Sequence, residues 1–173
     1  MTHPVPGTAA PSLDLPLTIQ AKFELSAQTP DRFTMLVFYR GSHCPICKKQ
    51  LEELGSRLDE FTERGISPFA ISMDDEERAM KVDADWDTGN LPLAYDMSEE
   101  KAREWGLYIS SAREGSEEPA VFSEPGIALI RPDGSIYMMQ HQSVPFARPS
   151  FDAILKGIDF VIEENYPPRG TKA

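Results

Sequence analysis

The sequence predicts an α/β sandwich, a mixed central sheet flanked by helices, with a hairpin at its N-terminal edge. Three observations predict it. Apolar strand-like runs and amphipathic helix-like runs alternate from Phe33 to about Trp105. A turn signal, Arg131-Pro132-Asp133-Gly134-Ser135, joins two late apolar runs into an antiparallel pair. A last amphipathic segment, capped by Ser150, closes the chain.

Up to about residue 10 the chain is rich in Pro, Gly, Ala and Thr, which predicts a loose arm. Leu17-Thr18-Ile19 and Phe23-Glu24-Leu25 alternate like a small hairpin, kept at the sheet edge by nearby prolines. Phe33 to Tyr39 is an apolar run rich in aromatics, the pattern of a fully buried strand. Leu51, Leu54, Leu58 and Phe61 then share one helical face, and Arg64-Gly65 stops the helix. Ile66 to Ser72 is a second strand, parallel to the first across that helix. Asp74-Asp75-Glu76-Glu77 reads as a solvated, acidic helix start, with the helix running to about Ala84. Leu91 to Asp96 is extended, and Ser98 opens a short helix through Trp105, ended by Gly106. Ser110 to Glu118 is the most polar stretch, a surface loop or insertion. Glu124 to Ile130 and Ile136 to Gln140 form the late hairpin, with Met138 and Met139 facing opposite sides. The closing helix carries Phe151, Ile154, Leu155, Ile158 and Val161, and a tail follows from Tyr166. The 173 residues suit a single domain spanning 1–173, with the arm at 1–10 and the tail at 166–173.

The two cysteines of the chain, Cys44 and Cys47, fall where the buried strand hands over to the first helix. A helix start has free N–H groups and the positive end of the macrodipole, so it stabilises a thiolate. Two intervening residues place the second sulfur one turn on, within reach of a disulfide. Pro45 suits the first helical turn, where a missing N–H costs nothing. His43, Lys48 and Lys49 are candidates for added positive potential, and His43 for a proton relay. A zinc site built on the same pair would need further ligands, and the chain has no second cysteine pair, so redox chemistry is favoured and no metal is expected. Trp86 and Trp105 read as packing residues.

With 17 Lys and Arg against 28 Asp and Glu, the net charge is −11. That argues against nucleic acid or an anionic membrane as partner. No apolar run approaches a membrane span, and Met1 to Pro6 lacks the basic and apolar parts of a signal peptide. Two cysteines in one motif fit a reducing, cytoplasmic setting rather than a disulfide framework.

Four stretches resemble the thioredoxin fold, and within it the peroxiredoxin-like (AhpC/TSA, redoxin) branch. They are the entry segment Gly7 to Leu15, the strand and loop from Phe38-Tyr39-Arg40-Gly41 to Cys47, the segment Glu124-Pro125-Gly126-Ile127, and the turn Ile130 to Gly134. The resemblance implies a thioredoxin-like three-layer sandwich with Pro125 as a cis-proline facing the redox cysteines. The family's peroxidases carry Pro-x-x-x-Thr/Ser-x-x-Cys. Read against Cys47, the Pro position is Arg40 and the Thr position is Cys44. The arginine that the family places ahead of the hairpin strand falls on Pro125, which leaves Arg40 as a substitute.

Cys-Pro-Ile-Cys instead resembles the dithiol of thioredoxins and glutaredoxins. The resemblance therefore leans toward a thiol-dependent, antioxidant-type oxidoreductase acting on disulfides, with peroxide as the second substrate class. In that scheme Cys44 attacks and Cys47 resolves, supported by His43, Pro45, Arg40 and Pro125, without a cofactor. A thioredoxin- or glutathione-type reductant restores the dithiol, and a homodimer is open. The alternatives are a non-catalytic redox sensor and a zinc-binding module.

Overall fold

The computed structural model describes residues 3–172. The strands are β1 (Asp14–Leu17), β2 (Ala21–Glu24), β3 (Phe33–Phe38), β4 (Ile66–Ile71), β5 (Leu93–Ala94), β6 (Ile109–Ser111), β7 (Val121–Ser123), β8 (Gly126–Ile130) and β9 (Ile136–His141). The helices are α1 (Pro45–Ser56), α2 (Leu58–Thr62), α3 (Glu76–Asp85), α4 (Glu99–Glu104) and α5 (Phe151–Glu164). Among the described residues seven strands form one mixed sheet, in the order β2-β1-β5-β4-β3-β8-β9. β3 pairs parallel with β4 and antiparallel with β8. It is buried along its whole length, as its largely apolar run predicts.

The sheet separates two cores. On one face Met35, Val37 and Tyr39 pack with Leu51, Leu54 and Phe61, and with Phe151, Ile154 and Ile158 of α5. On the other, Leu36 and Phe38 pack with Leu13, Leu15 and Phe23 of the N-terminal segment and with Trp105. The strand alternation sends Met138 to the first core and Met139 to the second. Trp105 is fully buried and Trp86 packs against Tyr39, so both tryptophans are packing residues.

Several boundaries differ from the sequence expectation, each for a local reason. The edge hairpin turns through Gln20 in a left-handed conformation, so its strands are 14–17 and 21–24 rather than 17–19 and 23–25. The expected long first helix breaks at Arg57, whose backbone leaves the helical region. The acidic helix start is capped by Asp75, leaving Asp74 outside the helix and buried rather than solvated. The N-terminal arm is not loose. Gly7 N–H donates to the Ile136 carbonyl at 2.7 Å, and Ala10 N–H to the Gly134 carbonyl at 2.9 Å, which ties the segment to the β8–β9 hairpin. Met1 and Thr2 of that arm, and Ala173 of the tail, lie outside the described residues.

One glycine fixes how closely α1 approaches the loop between α3 and β5. A methyl group at Gly55 would collide with the Thr88 carbonyl. Glycine to alanine inside a helix normally gains about 1 kcal/mol. Here the sign reverses. Gly55→Ala is expected to cost about 1–3 kcal/mol through overpacking, read as a lower urea midpoint with an unchanged slope.

Candidate active site

Cys44 is the N-cap residue of α1. Its backbone is extended, at φ −102° and ψ 106°, and Pro45 occupies the first helical position. Its carbonyl accepts the Lys48 N–H at 3.1 Å, the first bond of the helix. Its sulfur takes the place of the usual capping oxygen and accepts the Cys47 N–H at 3.3 Å. A negative charge on that sulfur therefore meets a backbone donor and the positive end of the helix together.

Cys47 lies one turn on and is fully enclosed. Arg148 Nη2 donates to its sulfur at 3.1 Å and stands 4.0 Å from the sulfur of Cys44. The Arg40 backbone N–H donates to Cys47 as well, at 3.4 Å. Arg148 is itself fixed. Its Nε donates to the Pro145 carbonyl at 2.7 Å and its Nη1 to Gln50 Oε1. It follows Ala147, whose φ of +60° directs the chain back over the helix start.

The pair divides its protons unequally. Cys44 is lowered to about 5, first by the hydrogen bond from the Cys47 thiol, against the opposing effect of burial; the Cys47 N–H, Arg40 and Arg148 lower it further. Cys47 is pushed well above the ordinary thiol range, first by burial and then by the charge on its neighbour. Distance alone would favour charge on Cys47, because Arg148 is nearer to it. Burial opposes charge on both sulfurs, but Cys44 alone has the Cys47 N–H and the helix start to offset it, so Cys44 holds the thiolate and Cys47 the proton.

The structure brings Cys44, Cys47, Pro45 and Arg40 together and corrects two expectations, the positive charge of His43 and the cis bond of Pro125. His43 stands beside Cys44, but burial and Arg40 lower it to about 4, and neither ring nitrogen has a hydrogen-bond partner. Its ring packs edge-on against Phe122. It is therefore neutral near pH 7 and supplies no positive potential to the sulfur. Pro125 is not a cis-proline, since no cis peptide bond occurs among the described residues. An ordinary trans X–Pro bond is the lower-energy form, and nothing in this turn enforces the other. Pro125 lines a small pocket with Gln50 and Arg148. Lys48 turns to Glu52 at 3.8 Å and Lys49 lines an outer groove, so neither reaches the sulfurs.

Arg40 is held from the side. Its guanidinium stacks over Phe122 at 4.7 Å and lies 3.5 Å from Glu118 and 3.2 Å from Glu124. Glu118 belongs to the polar stretch expected as a surface loop. That stretch is the exposed loop at the tip of the β6–β7 ribbon, as expected, but the Glu118 carboxylate is turned inward. Arg148 and Gln50 are the site residues that sequence reasoning missed. No metal-binding cluster of three or more His, Cys, Asp or Glu side chains forms among the described residues. No helix among them is long and apolar enough to cross a membrane.

The sequence profile described as the AhpC/TSA family matches residues 6–139. No curated protein sequence matches the chain. Among solved structures, Mycobacterium bovis AhpC superposes with a TM-score of 0.76 at 14% identity, covering 100% of both chains. Plasmodium vivax 2-Cys peroxiredoxin in its reduced form gives 0.74 at 20% identity, over 96% of this chain and 86% of the other. Peroxidoxin BcpB from Mycobacterium tuberculosis gives 0.71 at 20% identity, over 95% and 99%. At these identities the likeness is one of fold.

Proposed function

The chain belongs to the AhpC/TSA family, and from that premise we propose that it is a thiol peroxidase in which Cys44 attacks and Cys47 resolves. One observation carries the reading. The Arg148 guanidinium spans both sulfurs, while the helix start favours a thiolate at Cys44. The position ahead of β8 that lacks an arginine, Pro125, is compensated from a different part of the chain.

The chemistry balances with the groups present and one substrate. The Cys44 thiolate attacks the terminal oxygen of a hydroperoxide, the O–O bond breaks, and the leaving alkoxide takes a proton to depart as alcohol or water. Cys44 becomes a sulfenic acid. The Cys47 thiol displaces its hydroxyl as water, closing a Cys44–Cys47 disulfide. Arg148, as a fixed cation beside the reacting sulfur, stabilises the charge that moves onto the peroxide oxygens. A thioredoxin- or glutathione-type thiol reopens the disulfide by exchange.

Enclosure favours a small oxidant. Cys44 is 1% exposed and Cys47 0%, and a hydroperoxide group needs less opening than a protein disulfide. Disulfide exchange is the second reading, favoured by the exposed side chains of Ile46 and Phe146 in a groove of about 320 Å³ beside the pair. A single-turnover comparison of hydrogen peroxide with a small aromatic disulfide separates the two, followed by mass analysis of both thiols. Faster consumption of peroxide, with loss of two hydrogens from the 44–47 peptide, is the expected result. A reduced protein that consumes neither oxidant would sink the enzymatic assignment.

A further inference from the structure

Beneath the turn that leads into Cys44 lies a carboxyl group with no part in the peroxide chemistry above. Asp74 follows β4, just before the cap of α3, and is 2% exposed. Its Oδ2 accepts the Ser42 N–H at 2.7 Å, and its Oδ1 has no partner. Its own backbone is anchored. The Asp74 N–H donates to Ser72 Oγ at 3.3 Å, and its carbonyl accepts the Asp96 N–H at 2.8 Å. The turn above is shaped to it. Gly41 has φ +128°, and a Cβ there would lie 2.5 Å from Asp74 Oδ1. The Gly41 carbonyl in turn accepts the Cys44 N–H at 3.1 Å. A continuous set of bonds thus runs from the buried carboxyl, through the Gly41–Ser42 turn, to the backbone of the attacking cysteine.

Such a group has no stabilising rationale. A buried carboxylate with one donor and an unpartnered oxygen is costly to keep charged. The groups facing it are Tyr39 just after β3, Ser72 just after β4, and Arg78 and Asp75 from the α3 side. Burial, the dominant influence, raises it to about 6, with the Ser42 N–H and Arg78 opposing. Its charge therefore changes around pH 6, about one pH unit above the Cys44 midpoint.

We propose that Asp74 is a positioning residue: ionised, it holds the Gly41–Ser42 turn and with it Cys44 in the attacking geometry; protonated, it releases the turn. The proposal rests on Cys44 being the reacting thiol but not on which oxidant it meets. A charge-assisted hydrogen bond is stronger than a neutral one, so the two states hold the turn unequally.

The test uses alkylation of the reduced protein by iodoacetamide, which requires no peroxide activity. The rate constant is divided by the thiolate fraction, read from ultraviolet absorbance, across pH 4.5 to 8. In the wild type the corrected constant is expected to fall about fivefold with a midpoint near pH 6. In Asp74→Asn it is expected to be flat, at the low-pH value of the wild type. Asp74→Ser serves as a second neutral variant. Asp74→Asn is also expected to melt higher than the wild type at pH 7.5 and to converge with it near pH 4. The raised pKa makes the ionised group destabilising above about 6, and that penalty is relieved as pH falls through that value. A flat wild-type profile, or the same fall in both neutral variants, would overturn the proposal. Failure of peroxide turnover with this profile intact would count against the peroxidase reading alone.

Discussion

Cys44→Ser is expected to abolish turnover, with a loss on the order of a thousandfold or more in peroxide consumption. A hydroxyl at the N-cap accepts the same backbone N–H and preserves the helix, so the folded structure should survive. Cys47→Ser should behave differently. Its first turnover proceeds, because the Cys44 thiolate still has its N-cap position and Arg148. The sulfenic acid then has no neighbour to displace its hydroxyl, and an added thiol is trapped as a mixed disulfide. Intact mass after one equivalent of peroxide reads both outcomes. If Cys47→Ser removes the first turnover and Cys44→Ser spares it, the two roles are exchanged, as the alignment of Cys47 with the family's peroxidatic position would have it.

Arg148→Met is expected to slow peroxide consumption at pH 7 by about 10- to 100-fold, since it removes a fixed cation from the site of charge movement. Methionine keeps the volume and the apolar contacts of the stem. Alkylation against pH gives the independent reading: a midpoint near 5 in the wild type and a higher one in the variant. Stability follows with a definite sign. Folding lowers Cys44 from an ordinary 9.0 to about 5, so its contribution is complete above the ordinary value and is lost as pH falls through about 5. The reduced variant should therefore melt below the wild type at pH 8, with the gap narrowing toward pH 4. Unchanged peroxide consumption in the variant would remove Arg148 from the chemistry.

The fold and the dithiol were legible because their signals are local. The apolar run of β3, the Cys-Pro-Ile-Cys junction and the Pro-Asp-Gly turn each state their geometry within a few residues. Arg148 was not legible, because it reaches Cys47 across 101 positions of sequence and only the left-handed turn at Ala147 directs it there. Asp74 was misread for the opposite reason. It sits in a run of four acids that does begin a helix, but the cap falls one residue later, and that single step sends Asp74 into the core. His43 shows that adjacency to a cysteine says little about protonation. The ring's enclosure, with Phe122 against it and Arg40 nearby, sets its state, and Phe122 and Arg40 meet only in the folded chain.

The seat of Cys44 at the head of α1 has a consequence for how the protein is reset. Closing the disulfide discharges the sulfur that the helix start, the Cys47 N–H and Arg148 together stabilise. The oxidised protein forfeits those interactions and the reduced one regains them, so the bridge sits uphill of an unperturbed dithiol. The couple's reduction potential is accordingly shifted in the positive direction, as in oxidoreductases whose reduced form is the favoured one. On the proposed cycle, a weakly reducing thiol pool is therefore expected to suffice to reopen the bridge.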